Sequence, residues 1–246
     1  MKTFASVLLA TCFTLSAVSS AAPITDNFTD GNYTANPSWT VHAGTWDVNG
    51  GELRQIANAA GNDTGTPRTI QLDGVVGGSS FTVQTDLRVD SPDAQFGVDA
   101  VGIAFRIQSA TKMYVAYLFP DYVPTNGDLR VFKIDGASRT FVGTAQNMGF
   151  TPGETWSTMT LAVVDNAFTV TLVNGSNSFS HTFTDNTSPF TAGGVGLFSE
   201  TYVANAIGLF DNVSVVAVPE PTSGTLAALV TCWTFVRRKR RISSTT

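Results

Sequence analysis

Three things are scarce through the middle of this chain: cysteine, basic residues and helical periodicity. Of its 246 residues two are cysteines, Cys12 and Cys232, and both lie in the terminal segments. The stretch from Pro23 to Val218 therefore has no thiol, which excludes a disulfide framework and a cysteine nucleophile and leaves its stability to its own core. That stretch carries 18 of the 19 acidic residues against eight basic ones, a net charge of −10. Such a surface excludes nucleic acid, whose phosphates demand a basic face, and suits calcium or neutral glycans. The two histidines, His42 and His181, fit no metal-ligand spacing. Only Glu52, Glu154 and Glu200 supply glutamates there, and Asp86 and Asp90 share a strand face without a Glu partner. Glycoside hydrolysis needs two carboxylates facing one scissile bond. No Gly-x-Ser-x-Gly elbow occurs either. The expectation is a protein that is not an enzyme.

The ends differ from the middle. Lys2 precedes an apolar stretch from Phe4 to Val18, followed by small residues through Ala22, ahead of Pro23. This is the layout of a secretory signal peptide over residues 1–22, too short for a comfortable membrane span. Beyond the domain expected over 23–217, a breaker segment rich in Pro, Ser and Gly leads into the apolar run Thr225 to Val236, expected to be a short helix. The basic block Arg237, Arg238, Lys239, Arg240 and Arg241 follows directly. Basic residues after an apolar run hold a C-terminus on the cytoplasmic side, yet 12 residues fall short of the roughly 20 of a permanent anchor.

Between the ends, short runs of Val, Phe, Thr and Tyr are broken by Gly, Asn and Asp. Phe81, Val83, Thr85, Leu87 and Val89 alternate with polar residues, as do Ile103, Phe105 and Ile107, the pattern of half-buried strands. Asn49-Gly50-Gly51 predicts one hairpin turn and Asp165-Asn166 another. About a dozen strands at this spacing predict an all-β, two-sheet antiparallel sandwich. Trp39, Trp46 and Trp156, each beside a strand start, are expected to fill its core.

Two resemblances follow. Pro219-Glu220-Pro221, the apolar run and the basic end resemble the PEP-CTERM sorting signal. That likeness implies an exosortase-type membrane protease as partner, transient anchoring in the membrane over residues 218–246, and delivery to the cell surface or extracellular matrix. The central stretch resembles the concanavalin A-like (laminin G-like) jelly-roll superfamily. Asp26-Asn27-Phe28, Gly44 to Leu53, Val101 to Arg106, Trp156, and Gly194 to Phe198 with Phe210 to Val213 carry this likeness, in that order. It implies a sandwich that often binds carbohydrate, and it implies pairing of the first and last strands. Laminarinase-type enzymes of this fold carry Glu-x-Asp-x-Glu on one strand, and this chain has no such run.

Two candidate sites result. If the first and last strands pair, Asp26, Asp30 and Asp211 converge on a structural calcium; the other reading makes them turn residues capping local amides. The strands around Gly102–Gln108, Met113–Phe119 and Leu129–Ile134 gather Arg106, Gln108, Tyr114, Tyr117, Arg130 and Lys133, with the loop Asp121 to Pro124 at a strand end. Arg106 alternates with the apolar face of its strand, which points it outward. These are aromatic and bidentate groups of the kind an extracellular polysaccharide requires. The other reading is ordinary cross-strand pairing on a solvent face. The expected function is a lectin-like, surface-associated protein, with a purely structural envelope component as the alternative and a glycan-processing enzyme as the third reading.

Overall fold

The computed structural model of the chain describes residues 22–56, 67–90, 99–119, 127–152, 154–200 and 206–217. The signal segment, the loop at Asp121 to Pro124 and the whole sorting tail, including Pro219, Glu220, Pro221 and Arg237 to Arg241, lie outside the described residues.

Sixteen strands occur among the described residues. The first six are β1 (Ile24–Asp26), β2 (Trp39–Val41), β3 (Thr45–Asn49), β4 (Glu52–Ile56), β5 (Arg68–Gly77) and β6 (Ser80–Asp90). The middle five are β7 (Ala100–Ser109), β8 (Lys112–Phe119), β9 (Asp128–Asp135), β10 (Ser138–Phe141) and β11 (Gln146–Asn147). The last five are β12 (Ser157–Val164), β13 (Ala167–Asn174), β14 (Asn177–Thr184), β15 (Gly193–Glu200) and β16 (Ile207–Ala217). They form two antiparallel sheets. The first runs β14-β13-β12-β6-β16-β4-β3, with β1 on β16; the second runs β10-β9-β8-β7-β15-β5-β2, with β11 on β9. This is the expected jelly-roll sandwich. The two predicted hairpins are present: β3 turns into β4 through Gly50-Gly51, and β12 into β13 through Asp165-Asn166.

Period-two patterning puts the core between the sheets. From the first sheet Phe81, Val83, Leu87, Met159, Leu161, Phe168 and Leu172 are buried against Val101, Ile103, Phe105, Leu118, Val131 and Leu197 of the second. Each such side chain contributes on the order of 1.5–3 kcal/mol by leaving water. Trp39 and Trp46 join this core as expected. Trp156 does not: the inward place belongs to Ser157, and the indole, 36% exposed, lies beneath the Arg88 guanidinium at 5.1 Å.

The outer faces of the two sheets differ in kind. That of the first is hydroxylated, with Thr169 bonded to Thr182 and Thr171 to Ser180, each at 2.8 Å. That of the second holds a second apolar cluster of Ala100, Ala104, Ile107, Met113, Val115, Tyr117, Phe119, Ile134 and Phe198, with Phe132 against it. Strands β7 and β8 are therefore buried on both faces, and β8 reads as a nearly unbroken apolar run.

This outer face is concave. Arg139 on the edge strand β10 bonds Glu200 on β15, Nη1 lying 2.9 and 3.1 Å from the two carboxylate oxygens. Strands β9, β8 and β7 lie between them. Four strand spacings amount to roughly 19 Å on a flat sheet, farther than the two side chains together extend, so the sheet must curl around its outer face. Small residues permit the bend. A Cβ on Gly102 would lie 2.0 Å from the Ala116 carbonyl oxygen, and one on Gly196 2.1 Å from that of Ile70.

Candidate functional site

The concave face is built by the register of three strands. Pairing of β8 with β9 sets Tyr117 opposite Arg130, Val115 opposite Phe132 and Phe119 opposite Asp128, and pairing of β9 with β10 sets Phe132 opposite Phe141. The result is a band of rings. Phe141, 48% exposed, packs on Phe132 at 4.1 Å. Phe132 stacks nearly parallel on Tyr117 at 5.5 Å, and Tyr117 meets Phe119 at 5.1 Å and Phe198 at 5.5 Å.

Two ion pairs border the band. Arg130 donates to Asp128 at 2.8 Å while its guanidinium lies 4.5 Å over the Phe119 ring, and Arg139 holds Glu200. Although burial opposes it, Asp128 and Tyr117 hold Arg130 above its ordinary pKa. Burial, with Glu200 adding to it, pushes the Tyr117 phenol far above the usual tyrosine range, so it keeps its proton. Arg139 Nη2 and Thr69 Oγ1, the latter on β5 opposite Phe198, are buried donors on this face with no hydrogen-bond partner among the described residues. Native structures leave few such groups orphaned.

The sequence-derived glycan set divides between the two faces of the sheet. Tyr117 and Arg130 belong to the concave band. Gln108 is exposed at the end of β7, its amide donating to the Ala192 carbonyl at 3.1 Å. Arg106, Tyr114 and Lys133 face the opposite way, toward the interior. The expected outward direction of Arg106 fails because β7 carries a bulge. Val195 and Gly194 are consecutive on β15 but pair with Phe105 and Ile107, leaving Arg106 as an inserted residue at φ +49°. It is 1% exposed, its guanidinium lies 5.5 Å over Phe168, and it donates to the carbonyls of Phe190, Asp165 and Ser79. Burial draws its pKa down. Tyr114 is fully buried, donates to Asp185 Oδ2 at 2.6 Å and accepts from the Phe190 N–H at 3.0 Å. Arg106 and Tyr114 are thus fastenings of the sandwich and present no surface to a ligand.

The acids of the calcium set are each engaged by local amides. Strand β1 does pair with β16, Asp26 opposite Val213. Yet both Asp26 oxygens are occupied, Oδ1 by the Phe28 N–H at 2.9 Å and Oδ2 by the Trp39 indole at 2.8 Å. Asp30 accepts from the Asn32 N–H and Asp211 from that of Asn212. Among the described residues no group of three or more His, Cys, Asp or Glu is arranged to hold a metal ion. The local-amide reading describes these three acids. Burial raises Asp26 and Asp211 above the usual carboxylate pKa.

Sequence reasoning missed Phe132, Phe141, Phe198, Asp128, Arg139 and Glu200. Alternation along β9 from Arg130 would have found Asp128 and Phe132. Nothing local in sequence announces that Arg139 meets Glu200 across a curled sheet.

No protein-family model matches the chain, and no curated protein matches it. Solved structures do. The carbohydrate-binding module CBM66 from Bacillus subtilis is similar at 19% identity, over 71% of this chain and 92% of that one, with a TM-score of 0.53. The lectin from Bauhinia forficata, solved with GalNAc, matches at 8% identity over 80% and 98%, TM-score 0.53. The GH43 BlXynB protein from Bacillus licheniformis matches at 13% identity over 79% of this chain but 39% of that one, TM-score 0.56. These likenesses show the fold, a jelly roll of the kind found in lectins and carbohydrate-binding modules.

Proposed function

We propose that the chain is a non-enzymatic carbohydrate-binding protein that acts outside the cytoplasm, using the concave face of its second sheet. The observation that carries this is the ring pair at the rim of that face, Phe141, 48% exposed, packed on the half-buried Phe132 and backed by the buried Tyr117, with arginine–carboxylate pairs alongside. Sugar rings stack their C–H faces on aromatic rings, and the half-exposed ring of Phe141 offers such a face. The carbohydrate-binding module and the lectin of the same fold support the same reading. Asp128 and Glu200 are each bound to an arginine, so neither is free to protonate a glycosidic oxygen. The acidic balance of the chain favours a neutral glycan over an anionic one.

Export by the N-terminal segment and removal of the Pro219-Glu220-Pro221 tail by an exosortase-type protease belong to the same proposal, and rest on the order of these segments in sequence. The protein at the cell surface is expected to have an intact mass that lacks Arg237 to Arg241; retention of that block would contradict processing.

A glycan array probed with the full chain tests the binding reading. Retention of at least one neutral polysaccharide, without its hydrolysis, is the expected result. Silence across neutral and acidic polysaccharides would overturn it in favour of a structural envelope component.

A further inference from the structure

A cleft of about 580 Å³ opens at the edge of the sandwich, between β10 and the segment that follows β14. One wall presents Ser138, Thr140 and Phe141, and the other Thr184 and Asn186, with Lys133 beneath. The second wall is preformed. Lys133 Nζ bonds Asp185 Oδ2 at 3.1 Å and the carbonyls of Thr187 and Ser188 at 2.8 and 2.6 Å, which uses all three of its protons. Asp185 Oδ1 takes the Thr187 N–H at 2.7 Å, and Oδ2 also takes the Tyr114 hydroxyl. Asn166 binds the Asp185 carbonyl oxygen at 2.9 Å.

This bonding defines what the cleft can recognise. Its ammonium and its buried carboxylate are saturated by each other and by backbone, so neither an anion nor a metal finds a free charge there. Asp135, the other carboxylate lining the cleft, lies 3.9 Å from Lys112 Nζ. What faces a ligand is a set of hydroxyls, one side-chain amide and the half-exposed ring of Phe141, which are the groups that bind an uncharged sugar. Phe141 belongs to both places: it lines the cleft, and it packs at 4.1 Å on Phe132 of the concave band.

From this juxtaposition we infer that the cleft is a second subsite of one binding lane, and that the ligand is a linear neutral polysaccharide running from the concave face over Phe141 into the cleft. The inference rests on the carbohydrate-binding reading above and adds the length and continuity of the ligand.

Calorimetric titration of the full chain with cello-, xylo- and laminari-oligosaccharides of one to six units tests it. For the series that binds, affinity should climb at least tenfold between the shortest and longest members. Ser138→Ala combined with Thr140→Val, both exposed positions on an edge strand, should lower affinity for the longest member about tenfold and leave the shortest unchanged. Phe132→Ala should weaken both. Affinity independent of length, or a double variant that binds long chains as wild type does, overturns the extended lane and leaves single-subsite binding standing. Failure of all three series to bind wild type overturns the neutral-carbohydrate reading itself.

Discussion

At the scale of single residues, two buried polar groups separate architecture from recognition. Arg106 holds three backbone carbonyls from different segments, so replacing it with Met strands those acceptors in the interior. Unfolding in urea should show Arg106→Met less stable by roughly 3 kcal/mol; an unchanged midpoint would return Arg106 to the surface. Asp185 makes a prediction in pH. Burial alone would raise it, but Tyr114, the Thr187 N–H and Lys133 together hold it below the usual carboxylate pKa. Its folded pKa is thus depressed, so its contribution is complete above the unfolded value, about pH 4, and is lost as pH falls through the folded value. Asp26 and Asp211 act in the opposite direction. Burial raises both, so the folded state takes up their protons first and gains stability as pH falls toward the unfolded value. The melting temperature should therefore peak in mildly acidic buffer and drop below about pH 4. A melting temperature flat from neutral pH into that acid range would contradict both assignments. Part of this was legible in the sequence. Tyr114 and Tyr117 are three apart on one strand, and so are Arg130 and Lys133, which already places each pair on opposite faces. Arg106 was not legible, because its inward turn depends on a positive φ that arginine seldom adopts.

At the scale of elements, alternation and turn chemistry carried most of the sandwich: the strand from Phe81 to Val89 and the Gly50-Gly51 and Asp165-Asn166 turns all stand where the pattern puts them. What pattern alone does not give is curvature. Strand β7 carries Gly102 on its outer face between Ala100 and Ala104, and a side chain there would collide with the backbone of β8. Gly102→Ala should therefore cost about 3 kcal/mol, read as a lowered urea midpoint, whereas Thr160→Ala on the hydroxylated face of the first sheet should cost less than about 0.5 kcal/mol. Equal stability of the two variants would mean the second sheet does not need to bend at that point.

At the scale of the whole molecule, the two sheets divide the labour. The first presents hydroxyls already bonded to one another and offers little to a ligand. The second is buried on both faces along β7 and β8 and leaves the ring of Phe141 half-exposed at its edge. The acidic, thiol-free composition of the middle of the chain agrees with a protein that folds on its core alone and meets uncharged partners. The most direct test of the central claim is a nuclear magnetic resonance titration of the phenylalanine and tyrosine ring signals with a neutral glycan retained on the array. The rings of Phe132 and Phe141 should shift in proportion to saturation while those of Phe105 and Phe168, sealed between the sheets, stay in place. Saturable binding that leaves Phe132 and Phe141 unmoved, or that shifts Trp156 instead, would contradict the concave face as the site.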